Sequence, residues 1–256
     1  MQIIRVMDVE TTGKDPADSA VCEIGWADVM VDGTARVERG ACRVINPQRP
    51  IPPEVSAVHH IIDEDVAGAP LLHDVMRIMA DAVLADHRVV ALAAHQAKFE
   101  QAFLGSMINL PWICTYKAAM RVWPDAPSHS NGALMYWRKP VGLDRGLAQP
   151  AHRAGPDAYV TAFHLRDLLN DGIPLGDLLA WTNEPVLLRK FRFGKHADKP
   201  ISEIPADYFE WMLRQDFGED EMHTAKTELE RRRAAPRVAV PPKNVAPPIN
   251  APLFPL

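Results

Sequence analysis

The sequence predicts an α/β protein, a mixed sheet flanked by helices, followed by a small C-terminal α+β module. Three observations predict it. β-Branched apolar runs alternate with amphipathic segments through the first two thirds of the chain. The first three runs are joined by turn-rich links, the pattern of an antiparallel meander. Beyond residue 172 a new set of short elements begins, rich in basic and aromatic residues.

Taken in order, QIIRVMDVE, AVCEIGWADVMV and TARVERGACRVI read as the three meander strands, with Asp32-Gly33 as a hairpin turn. IPPEVSAVHHI reads as a Pro-initiated helical turn whose His59 and His60 pack or face solvent. LLHDVMRIMADAVL carries apolar residues at helical spacing, and RVVALAAH is a short apolar run of the kind that makes a buried strand. AKFEQAFLGSM then reads as a helix, WICTY as a further strand, and AGPDAYVTAFHLRDLLN as the last long helix of this half. Residues 1–172 form the first domain on this reading and 173–185, containing IPLGDLLAWTNE, a connecting helix or linker. Residues 186–235 form the module and 236–256 a tail. Periodicity alone leaves several α/β folds open.

Four acidic residues and one histidine stand out: Asp8 and Glu10 in MDVETTG, Glu100 in AHQAKFE, and His152 and Asp157 in AHRAGPDA. Residues two apart on a strand share a face, so Asp8 and Glu10 point the same way. Carboxylates gathered without basic neighbours repel one another, and oxygen-seeking divalent cations relieve that repulsion. The blocks D-x-E-T-T-G, H-x-A-x-F with its carboxylate, and H-x-A-x-x-D, in this order, resemble the DEDDh group of 3′→5′ exonucleases over roughly residues 1 to 170. Further likeness in PWICTYKAAMRVWP, SHSNGALMYWRK and FRFGKHADKPISEIPADYFEWML points to the exodeoxyribonuclease X branch of that group.

The resemblance implies a ribonuclease H-like exonuclease fold and two Mg²⁺ (or Mn²⁺) ions per site. Such a pair, about 3.5–4 Å apart, serves nucleophile, equatorial charge and leaving oxygen together. It implies that Asp8 bridges both ions, that Glu10 and Asp157 complete the tighter one, and that Glu100 serves the other. His152 is then the general base, since an imidazole of ordinary pKa about 6.5 accepts a proton near neutrality. Thr11, Thr12 and Gly13 follow the first strand, where family members hold the terminal 3′-hydroxyl; a plain strand-to-turn exit accounts for them equally well. One departure stands out. The family's H-N-A-x-F-D is here His95, Gln96, Ala97, Lys98, Phe99, Glu100, which keeps the charge on an arm one methylene longer. A water-mediated ligand tolerates that change, whereas a direct ligand would lose rate through mispositioning.

Composition agrees with a nuclease of the cell interior. Hydrophobic content is 47% and charged content 24%, ordinary for a globular protein. Cys22, Cys42 and Cys114, an odd set at unrelated spacings, read as buried thiols. With no leader-like start and no apolar run of membrane-spanning length, the expected location is the cytoplasm, with no membrane partner. The net charge of −5 argues against bulk attraction to nucleic acid without excluding a nuclease, so binding must rest on local basic patches and bound metal.

One such patch lies in the module, where Arg189, Lys190, Arg192, Lys195 and Lys199 face a single acid, Asp198, with Phe191 and Phe193 interleaved. On a strand this alternation puts rings on one face and cations on the other. Lys190, Arg192 and Lys195 are the candidate DNA-backbone contacts, while a buried ring face with solvated cations fits the pattern as well. After Arg233 the prolines 236, 241, 242, 247, 248, 252 and 255 predict an extended tail, a candidate attachment point for a protein partner.

The expected substrate is DNA with a free 3′ end, single-stranded or duplex, and the expected setting is DNA repair or end trimming. Two alternatives stay open: an exoribonuclease or polymerase-associated proofreading exonuclease of the same chemistry, and a non-catalytic nucleic-acid binding module in which Glu100 and Gln96 mark a degenerate site.

Overall fold

The meander read from the sequence forms the spine of the fold. In the computed structural model, which describes residues 1–105 and 107–234, β1 (Gln2–Thr11), β2 (Val21–Asp32) and β3 (Thr34–Val44) pair antiparallel. The hairpin between β2 and β3 turns at Gly33, whose φ of 74° requires the absence of a Cβ. Two further strands, β4 (Val89–Ala94) and β5 (Trp112–Cys114), join parallel on the other side of β1, giving the order β3-β2-β1-β4-β5. Parallel pairing needs crossovers, and helices supply them. The strand expected over WICTY is only three residues long, because at Thr115 the chain turns directly into a helix.

Helices cover both faces. The connection from β3 to β4 carries α1 (Pro53–His59), α2 (Asp63–Val66) and α3 (Leu72–Ala85), and α4 (Ala97–Leu104) links β4 to β5. Val75, Met76 and Met79 of α3 and Leu104 of α4 pack against Ile3, Met7 and Leu92 of the sheet. On the opposite face lie α5 (Thr115–Val122), α6 (Asn131–Arg138), α7 (Ala154–Asn170) and α8 (Leu175–Asn183). Leu165 and Leu168 of α7 and Leu178 of α8 join Ile4, Val6 and Ala93 in that second core. The chain divides into two compact units at Val186 and Leu187, so α8, read above as a connection, packs as part of the first unit.

The second unit, taken by itself, contains a 3-10 turn at Ile201–Glu203, α9 (Ala206–Met212) and α10 (Glu219–Ala234) around Phe191, Ile204, Phe209, Met212 and Leu229. Among its described residues there is one isolated antiparallel bridge, Lys190 to Pro200, and no strand where the basic and aromatic residues alternate. The chain reverses at Gly194, φ 70°, immediately after Phe193. Phe191 is fully buried and Phe193 stacks on Phe217 at 4.9 Å, so the rings are core and the alternation is that of a turn. The first turn of α10 is acidic and its last turn basic, which suits the helix dipole. The proline-rich tail, with its expected extended state and partner role, lies outside the described residues. Among those residues no helix is long and apolar enough to cross a membrane.

Candidate active site

β1, the central strand, presents Asp8 and Glu10 on one face near its C-terminal end, since Val9 between them points to the other face and into the core. Asp157 lies in the first turn of α7, packed across the same strands. Asp8, Glu10 and Asp157 each place a carboxylate oxygen within 4.8 Å of the others, the single group of this kind among the described residues. Three acids 149 residues apart in the chain thus form one cluster.

The electrostatics are those of a crowded anionic site. Burial pushes the Asp8 carboxyl well above its usual range, reinforced by Glu100, Asp157, Glu10 and Glu23. Glu10 is raised to about 8, again chiefly by burial and then by Asp157 and Glu23. Asp157 is raised by burial against the opposing effect of the His152 backbone N–H, which donates to its Oδ2 at 2.9 Å.

Glu100, on α4, lies outside the tight group but in the same field. It is 4% exposed, its Oε2 has no hydrogen-bond partner, and burial followed by Glu10 raises it to about 8. A buried carboxylate oxygen without a donor is costly unless a cation sits beside it. With the three-acid cluster, this orphaned oxygen fits hard divalent ions held by oxygen ligands.

His152 is exposed on the loop before α7, at φ 59°, with its backbone tied to Asp157. Thr11 and Thr12 are buried and their hydroxyls act within the exit turn: Thr11 Oγ1 donates to the Gly13 carbonyl at 2.5 Å, and Thr12 Oγ1 accepts from Ala20 N–H at 3.0 Å. Lys190, Arg192 and Lys195 belong to the second unit; Lys190 pairs with Asp198 at 3.4 Å, Lys195 sits over the Tyr208 ring, and Arg192 is exposed. His59 is buried against Cys22, whereas His60 faces solvent.

The sequence reading missed two supports of this site. Asn131 donates from Nδ2 to the Asp157 carbonyl at 3.0 Å and accepts from Thr161 at 3.2 Å, so the start of α6 braces the start of α7. Glu23, on β2 opposite Glu10, pairs with Arg153. Its signal was present: a lone carboxylate inside the apolar run VCEIGWADVMV is either exposed at an edge or paired in the core.

A mixed sheet in the order β3-β2-β1-β4-β5, with a carboxylate cluster at the exit of its central strand, defines a nuclease of ribonuclease H-like architecture. Residues 6–163 match the RNase_T family, described as exonuclease, and the chain belongs to that family, as a DEDDh-type enzyme. It is 32% identical to exodeoxyribonuclease 10 of Escherichia coli (strain K12) over 220 residues, covering 82% of this chain and 90% of the relative. It is 30% identical to the DNA polymerase III subunit epsilon of Treponema pallidum (strain Nichols) over 162 residues, 60% of this chain and 70% of that protein. Among solved structures, exonuclease X in complex with 5′ overhanging duplex DNA superposes with a TM-score of 0.57 at 32% identity, covering 70% of this chain and 99% of that one. The nuclease domain of 3′hExo, a DEDDh family member bound to rAMP, shares the fold at 16% identity, with a TM-score of 0.53 over 67% of this chain and 93% of that one.

Proposed function

We propose that this exonuclease removes nucleotides 3′→5′ from free DNA ends, releasing 5′-mononucleotides, in repair or end trimming. The observation that carries the proposal is the Asp8, Glu10 and Asp157 cluster with the unpartnered, buried Glu100 beside it. Asp8, Glu10 and Asp157 would hold one Mg²⁺ or Mn²⁺, with Asp8 shared and Glu100 serving a second. When bound, two such ions activate the attacking water and neutralise charge on phosphate and leaving oxygen.

The chain's own groups do the rest. The exposed His152 ring takes the proton from the attacking water at a ring nitrogen, while its backbone N–H occupies one oxygen of Asp157 and leaves the other for metal. The new P–O bond forms as the bond to the neighbouring 3′ oxygen breaks, and that oxygen takes a proton from solvent water and leaves as a hydroxyl. Thr11 to Gly13 shape the floor beside Glu10 through their closed turn. Arg192 and Lys195, with Lys190, contact the DNA backbone from the second unit.

DNA is favoured over RNA by the likeness to exodeoxyribonuclease 10, and a free-standing enzyme over a polymerase subunit by the extent of that likeness. It covers 82% of the chain, more than the first unit contains, whereas the polymerase epsilon match covers 60%. A cytoplasmic setting agrees with three unbridged cysteines, of which Cys22 and Cys114 are buried as expected and Cys42, near the end of an outer strand, is exposed. The test uses 5′-labelled linear DNA, its RNA equivalent and a closed single-stranded DNA circle, each with Mg²⁺ and with chelator. Stepwise shortening of linear DNA alone, abolished by chelator, is expected. Cleavage of the circle, or faster loss of RNA, overturns the proposal.

A further inference from the structure

Glu23 is 1% exposed, and both its oxygens are engaged by N–H groups of the loop before α7. Arg153 donates from Nε to Oε2 at 3.0 Å and from Nη2 to Oε1 at 2.5 Å; the Ala154 N–H donates to Oε2 at 2.8 Å. Three N–H donors take most of the about four acceptor positions of this carboxylate and commit Glu23 to the loop, although it stands directly across the ladder from Glu10. Ala154 is the first residue of α7, and the N-cap residue before it, Arg153, makes no side-chain cap of its own. Glu23 therefore satisfies an N–H that the helix leaves without a partner, from a strand about 130 residues away.

A second contact points the same way. A Cβ on Gly25 would lie 2.2 Å from the Ala154 carbonyl carbon, so only glycine lets β2 approach the start of α7 this closely. Between Arg153 and Asp157 the loop is closed from the other side, because His152 N–H donates to Asp157 Oδ2 at 2.9 Å. His152 itself sits at φ 59°, a conformation an L side chain holds only where its surroundings enforce it.

We infer that Glu23 and Arg153 are positioning residues, a clamp that ties the His152 loop and the first turn of α7 to β2 and so sets both groups against Asp8 and Glu10. The inference rests on the exonuclease reading only for its consequence in catalysis; the clamp itself is a property of the metal-free protein. Arg153 also pairs with Glu23, and its charge offsets in part the repulsion that Glu23 adds at Glu10. Removing outer partners of metal ligands costs about 10–100-fold in metal affinity or activity.

The experiment compares full-length wild type with Glu23→Gln and with the milder Arg153→Lys, which keeps a cation but loses the two-pronged fork. Three measurements are made: amide hydrogen exchange in chelator, kcat and KM on 5′-labelled DNA, and Mg²⁺ affinity by calorimetry. For Glu23→Gln, exchange is expected to rise at least about tenfold across residues 151–158 and to stay unchanged in β1, β4 and α3. kcat should fall about 10–100-fold with KM within about threefold, and half-maximal Mg²⁺ should rise. Arg153→Lys should show the same pattern at smaller amplitude. Unchanged exchange at 151–158, or exchange raised throughout the first unit, overturns the clamp. So does an equal loss in KM with kcat intact. A wild-type protein without exonuclease activity would sink the functional reading, while the exchange data would still judge the clamp.

Discussion

Replacing Glu100 by Gln should stabilise the metal-free protein at alkaline pH and remove part of the stabilisation that Mg²⁺ confers. The carboxyl is 4% exposed with one oxygen unpartnered, and burial with the charge of Glu10 raises it to about 8. In the unfolded chain it ionises near 4.5. Between these values the folded state retains a proton that the unfolded state releases, so stability falls as pH rises from about 4.5 to 8 and is level beyond. At about 1.4 kcal/mol per pH unit, the full window corresponds to roughly 5 kcal/mol. Asp8 and Glu10 share the same repulsion, so relieving one acid is expected to return about half of that, on the order of 2–3 kcal/mol. For a unit of this size, this is about 5–10 °C in melting temperature. The assay is thermal unfolding in chelator at pH 5 and pH 8.5, repeated with saturating Mg²⁺. The variant should melt above wild type at pH 8.5, match it near pH 5, and gain less from Mg²⁺. A variant that melts at or below wild type at pH 8.5 in chelator would refute the desolvated carboxylate, and equal Mg²⁺ gains would refute its service to a cation.

Asp8→Asn should abolish exonuclease activity while leaving the melting temperature in chelator equal or higher, since an uncharged group at the crowded cluster relieves repulsion; measurable turnover at saturating Mg²⁺ would count against a bridging Asp8. His152→Ala should lower kcat about 10²–10⁴-fold with little change in DNA affinity, read by single-turnover rates and anisotropy; a wild-type rate would remove it as the base. His164 is buried, with burial lowering it to about 4 against an ordinary value of 6.5. Its contribution to stability is thus complete above about pH 6.5 and is lost as pH falls toward 4, by about 2 kcal/mol at pH 5. His164→Gln should flatten that acid limb in denaturant melts, and parallel limbs in the two proteins would show the imidazole to be solvated.

How much of this was legible in the sequence follows from the range over which each signal acts. Alternation placed Asp8 and Glu10 on one face of β1 because the period of a strand is local, and the helical spacing of AKFEQAFL put Glu100 on α4 for the same reason. The joining of Asp157 to them was legible only through the resemblance of three spaced blocks. No local rule brings the start of α7 to the exit of β1. RKFRFGK carries the period of a strand over too few residues to make one, and the positive φ of Gly194 ends it. Thr11 and Thr12 look like ligand-binding hydroxyls in a motif, yet their partners are Gly13 and Ala20 in their own turn.

The supports of the site were the least legible part, and the reason is physical. Asp8, Glu10, Glu100 and Asp157 are assembled against their mutual repulsion, so elements that do not themselves bind metal must hold them in place. Those elements are fixed by pairings across long stretches of chain: Asn131 to the Asp157 carbonyl, and Glu23 to Arg153 and Ala154. Each half of such a pair is an ordinary polar residue in its own segment, and only the fold reveals the other half. Glu23 shows how far this goes. In sequence it is a lone acid inside an apolar run, with nothing local to distinguish it from a metal ligand. In the structure both its oxygens accept from backbone and guanidinium N–H groups of one loop, so it orders the loop that the proposed ligands depend on. Acids of the two kinds are told apart by their donors: one oxygen of Glu100 is buried without a partner, as the proposed cation role requires, whereas both oxygens of Glu23 are held by the loop it orders.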